Sequence, residues 1–136
     1  MRAMTLGLSL LALSFVPLAP ARAQECADQT QMGLDQCASA AYKKTDAKLN
    51  AVYRQIVARL KDDADTKARL VTAQKAWIAF RDAECKFRAG NAEGGSIYPM
   101  LVIQCRDELE QKRIEELSAQ LECEEGDLSC PVPAAP

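Results

Sequence analysis

From residue 30 onward, the apolar positions of this chain recur at intervals of three and four. That spacing predicts helices and no strands. The first helix begins near Thr30, a residue suited to N-capping, and runs to about Leu60. Its apolar line is Ala38, Tyr42, Leu49, Val52, Tyr53, Ile56 and Leu60, and Gly33 weakens its first turn. The polar stretch Lys61-Asp62-Asp63-Ala64-Asp65 reads as a turn, with Asp65 or Thr66 capping a second helix that extends to about Ala89. Gly90 is the expected stop. The connector Gly90-Asn91-Ala92-Glu93-Gly94-Gly95 is flexible by composition. Ser96 or Pro99 opens a third helix that ends near Leu121. Short connections make sequential helices antiparallel. The expected fold is therefore all-α: a small antiparallel bundle of three long helices.

The first residues follow a different pattern. Arg2 precedes an apolar run over roughly Leu6–Leu18, too short for a membrane span and suited to the core of a signal peptide. The alternative, a buried N-terminal helix, is opposed by Pro17 and Pro20. Ala21-Arg22-Ala23 has the small-x-small form of a cleavage site, so residues 1–23 read as a signal peptide and Gln24 as the mature start. Gln24 and Glu25 precede Cys26, where a lipoprotein signal needs small residues, so no lipid anchor is expected. Residues 24–121 then form the helical domain and 122–136 a C-terminal tail, in a periplasmic or secreted protein. Cleavage leaves 113 residues with 15 cations against 19 acids, a net charge of −4. That balance argues against nucleic acid as a partner, because no surplus of cations can replace counterions. It is compatible with a basic protein partner.

Six cysteines stand at 26, 37, 85, 105, 123 and 130. An even number in an exported chain implies three disulfides. Neither histidine nor a Cys-x-x-Cys pair is present, so zinc binding is poorly supported and a histidine-based nucleophile system is excluded. No metal or cofactor is expected. With the first helix running up, the second down and the third up, Cys26, Cys37, Cys85 and Cys105 all fall at the lower end. Cys123 and Cys130 follow the top of the third helix and should pair, closing the tail. The four lower cysteines allow three connectivities. The preferred one joins Cys85 to Cys105 and Cys26 to Cys37.

The segment AQKAWIAFRDAEC (73–85) contains the only tryptophan. At about 100° per residue, Leu70, Ala73, Arg81 and Glu84 lie within about 40° of Trp77, with Gln74 near 60°. Arg113 stands on the apolar stripe of the third helix, four residues from both Leu109 and Leu117. Asp46 and Asn50 flank the Tyr42–Leu49–Tyr53 line of the first. Buried charges must be paired, since burying one alone costs several kcal/mol. The expected arrangement is a polar layer in which Asp46 and Glu84 answer Arg81 and Arg113, with Gln74 and Asn50 completing the hydrogen bonds. The competing reading makes Asp46 and Glu84 a catalytic carboxylate pair. Trp77 is read as a core residue, with a sugar-stacking platform as the alternative.

Cys37, the run KTDAKLNAVYRQI (44–56), the run 73–85, GGS (94–96), Cys105 and Arg113 together resemble the LprI-like lysozyme-inhibitor domain family, formerly a domain of unknown function. The resemblance covers about residues 26–121. Its signature, Asp-x-x-Leu-Asn-x-x-Tyr with Gln-x-x-Trp-x-x-x-Arg-x-x-x-Cys, falls here on Asp46, Leu49, Asn50, Tyr53, Gln74, Trp77, Arg81 and Cys85. It implies an exported, all-helical, non-enzymatic protein-binding module that inhibits lysozyme (a muramidase). The departure from the family's lipoprotein is the missing lipid-attachment cysteine. The signature positions coincide with the expected core, so the contact surface must lie elsewhere; the nearest candidate is the loop of Gly90, Glu93, Gly94, Gly95 and Ser96. The alternatives are a structural or envelope-stress module that binds another periplasmic protein, and a carboxylate-dependent hydrolase.

Overall fold

A computed structural model describes residues 26–134. The expected signal segment, residues 1–23, lies outside the described residues. Three long helices follow: α1 (Gln31–Arg59), α2 (Ala64–Ala89) and α3 (Tyr98–Ala119), with a 3₁₀ turn at Gly90–Ala92. The described residues contain no strand, and the architecture is an all-α bundle.

Side-chain caps set the helix starts. The Thr30 hydroxyl accepts from the Gly33 amide and opens α1. Asp63, rather than Asp65 or Thr66, caps α2, accepting from the Thr66 amide at 2.9 Å. Its carboxylate fits the N2/N3 amides with only a two-residue turn after Leu60, so α2 starts earlier than its apolar period suggests. α3 begins at Tyr98, with Ile97 at the cap and Pro99 in its first turn, where a missing N–H costs nothing. The expected stop at Gly90 differs in kind: Gly90 stays right-handed, with φ −54°, and the chain tightens into the 3₁₀ turn. Turn bonds then run from the Gly95 amide to the Ala92 carbonyl and from the Tyr98 amide to the Gly95 carbonyl. The connector is thus a series of hydrogen-bonded turns, and the one left-handed residue it needs is Gly94, at φ 83°.

α3 is the central element, packing against both α1 and α2. Cross-helix bonds fix the directions. Tyr42 meets Glu110 and Arg59 meets Leu121, so α1 and α3 run parallel. Arg88 meets Glu108, Arg81 meets Glu110 and Gln74 meets Arg113, so α2 runs antiparallel to α3.

Two apolar clusters form the core. The upper one contains Leu49, Ile56, Leu60, Leu117, Cys123 and Val132, with Tyr53, Leu70 and Trp77 packed against it. The lower one contains Cys85, Ala89, Val102 and Cys105. Disulfides join Cys26 to Cys37, Cys85 to Cys105 and Cys123 to Cys130. The last folds the tail back so that Val132 is buried, and Arg59 secures it by donating to the carbonyls of Leu121 and Pro133. Each such bridge in a small domain contributes about 2–5 kcal/mol.

Candidate functional site

Between the two apolar clusters lies a polar joint centred on Glu110, whose side chain is fully buried on α3. Its Oε1 accepts from the Arg81 guanidinium of α2 and, at 3.0 Å, from the Tyr42 hydroxyl of α1. All three helices thus meet on one carboxylate oxygen. Arg81 also reaches Asp82 Oδ1 through Nε and Nη2, at 2.9 and 2.8 Å, and Arg106 shares that oxygen at 3.2 Å. Glu110 Oε2 is buried and has no hydrogen-bond partner among the described residues.

Trp77 is half-buried beside this joint. Its ring lies under two guanidinium groups, with Arg81 Cζ 5.6 Å and Arg113 Cζ 5.7 Å from the centroid. Both distances are within the range of cation–π attraction. Arg113 in turn donates to Gln74 at 3.2 Å and to Glu116 at 2.8 Å. The ring therefore serves as a wall for two ion pairs, and no open face for a sugar is needed to explain it.

Burial dominates the ionisation of Glu110 and Tyr42. It holds the Glu110 carboxyl above the ordinary carboxylate range, against the opposing effect of Tyr42 and Arg81. It also pushes the Tyr42 phenol up to about 12, with the neighbouring Glu110 charge adding to the effect. A hydroxyl that ionises so late remains a hydrogen-bond donor throughout the neutral range.

The expected polar layer is therefore corrected. The acids that answer the arginines are Glu110, Asp82 and Glu116, not Asp46 and Glu84. Asp46 accepts instead from Asn50, one turn along its own helix, and Asn50 is exposed. Glu84 is half-buried and makes no hydrogen bond or ion pair among the described residues. The physical reason is rotation. The α2 face that meets α3 is centred nearer Arg81 than Trp77, which brings Arg81 over α3 and leaves Glu84 off to the side. A sequence signal for Glu110 did exist: it stands four residues before Ile114 and seven before Leu117, on their stripe.

The remaining signature positions surround the joint. Leu49 is buried in the upper core, and Tyr53 and Gln74 are half-buried. Above the joint, the end of α1, the start of α2, the end of α3 and the tail enclose an open groove of about 410 Å³. Its floor includes Ile56, Leu60, Leu117 and Val132, and Arg69 stands at its rim. At the opposite end of the molecule, Gly90, Glu93, Gly94, Gly95 and Ser96 are all exposed on the α2–α3 connector. The described residues contain no cluster of acids and cysteines that could hold a metal ion.

Comparison with known proteins adds three findings. The uncharacterized protein R02472 of Rhizobium meliloti (strain 1021) is 40% identical over 141 residues, an alignment covering 92% of this chain and 99% of that protein. No solved structure matches. The family described as Lysozyme inhibitor LprI matches residues 21–117, a span that includes all of α1, α2 and the polar joint. The chain belongs to the LprI lysozyme-inhibitor family.

Proposed function

We propose that this protein is an exported binding module that inhibits a lysozyme. The observation that carries the reading is the family match over residues 21–117. The chemistry agrees with a binding role. The most buried acid, Glu110, is held by an arginine and a tyrosine, which makes it a fastener between helices rather than a proton donor facing a substrate. Three disulfides and the family support a location outside the cytoplasm. No described helix is long and apolar enough to cross a membrane.

The contact surface we favour is the α2–α3 connector. It is exposed at every position from Gly90 to Ser96 except the half-buried Ala92, it carries Glu93, and Gly94 and Gly95 let the backbone approach a partner closely. Its hydrogen-bonded turns reduce the entropy lost on docking. A mature charge of −4 would steer it toward a basic muramidase. The test is turbidimetric lysis of cell walls by animal and bacterial muramidases, titrated with wild type and Glu93→Lys at two ionic strengths. Wild type should inhibit, less so in high salt, and Glu93→Lys should inhibit less. If a large molar excess of wild type leaves every muramidase fully active, the inhibitor reading fails. Equal inhibition by the two proteins moves the surface to the acidic stretches Asp62–Asp65 or Glu122–Asp127, both mostly exposed.

A further inference from the structure

α2 carries a second apolar stripe that none of its own neighbours covers. Ala73, Ala76, Phe80, Ala83 and Phe87 are all exposed, Phe80 to 55% and Phe87 to 81%. They recur at three, four, three and four residues. At about 100° per residue they occupy an arc of roughly 80°, on the side of α2 away from Arg81 and Cys85. Neither phenylalanine belongs to the two buried clusters. A sustained three-four repeat on an exposed helix is the pattern of a helix–helix seam.

The order of large and small residues on this stripe shows what fits it. Reading outward from a point between Phe80 and Ala83, Phe80 faces Ala83, Ala76 faces Phe87, and Ala73 faces Gly90. Each large side chain meets a small one if an identical helix is laid antiparallel across that point. The charges follow the same symmetry. Arg69 continues the stripe at one end, and Glu93 follows the helix at the other. From that centre, Arg69 and Glu93 both lie about 19 Å along the axis, counting 1.5 Å per helical residue and 2.0 Å in the 3₁₀ turn. A two-fold pairing sets each arginine at the level of the second copy's glutamate, twice.

We infer that α2 is a homodimer seam on which a second copy of this chain docks antiparallel, Phe into Ala, about a two-fold axis between Phe80 and Ala83. Such an interface is isologous, so one patch supplies both halves. It is narrow, resting on a single helix from each copy, and so forms a dimer in exchange with the monomer.

The experiment is sedimentation equilibrium of the disulfide-intact protein between about 1 µM and about 1 mM, where weak dimers populate. Wild type should approach the mass of two chains at the upper end. Phe87→Asp and Ala83→Glu should each weaken association by about tenfold or more, since each places a charge in the seam. Both positions are exposed, and unchanged circular dichroism and melting will show that the monomer fold is kept. Arg69→Glu and Glu93→Arg should each weaken the dimer, and the double variant should restore it. The mass of one chain throughout would overturn the proposal. So would a dimer indifferent to Phe87→Asp and Ala83→Glu, or a charge reversal with no restoration, which would rule out the antiparallel register.

Discussion

Arg81 of α2 donates to the fully buried carboxylate of Glu110 on α3, and that contact joins the Cys85–Cys105 bridge in tying the central helix to its antiparallel neighbour. With Tyr42 donating to the same oxygen, the joint also fixes α1. A buried pair of this kind adds little net stability compared with apolar residues of similar size, but removing one partner strands the other. Arg81→Met should therefore cost about 3–5 kcal/mol in chemical denaturation. Arg81→Met with Glu110→Leu should cost less than Arg81→Met alone, because no charge is left buried. A double variant as unstable as the sum of the single variants would refute this account of the joint.

Glu110 also sets a pH dependence. Its folded-state pKa is raised by burial, so the folded protein holds this proton more tightly than the unfolded chain. The contribution is fully present below the unfolded carboxylate value and is lost as pH rises through the folded one. The stability of wild type relative to Glu110→Gln should therefore fall as pH rises from the acid range toward neutrality. Denaturant midpoints of both proteins across that range measure it, and a relative stability that rises with pH would reverse the sign.

At the alkaline end the reporter is Tyr42, pushed up to about 12 from an ordinary 10.0. Its contribution is present below 10 and is lost as pH rises toward 12. In an ultraviolet titration, Tyr42→Phe should remove a phenol that ionises near 12 and flatten the loss of stability in that window.

Gly33 gives a prediction opposite to helix propensity. Alanine is the better helix former by roughly 1 kcal/mol. Yet Gly33 is buried, and a Cβ placed on it would sit 2.6 Å from the Asp28 carbonyl oxygen, against the arm held by Cys26–Cys37. Gly33→Ala should destabilise by about 1–3 kcal/mol, as overpacking does. A raised melting temperature would show that the arm moves aside freely.

The Cys123–Cys130 bridge should matter beyond its short loop. It places Val132 in the upper core and makes the tail one wall of the groove. Replacing both cysteines by serine should cost about 2 kcal/mol or more. Amide exchange should then quicken at Val132 while remaining slow at Ile56.

The three- and four-residue spacing of apolar positions by itself determined three helices. Periodicity is a local property, and the polar turn after Leu60 and the glycine-rich connector leave the chain no other place to reverse. The same spacing showed that Arg81 and Arg113 lie on core-facing stripes, so that acids must be buried with them. Which acids these are was decided only by the tertiary structure. Asp46, Glu84 and Glu110 all lie near an apolar stripe, and one-dimensional spacing ranks them almost equally. The rotation of α2 about its axis and its level along α3 bring Glu110 under Arg81 and turn Glu84 aside. Those two quantities are set by the packing of all three helices at once, through side-chain volumes and the Cys85–Cys105 clamp, and no stretch of a single helix encodes them.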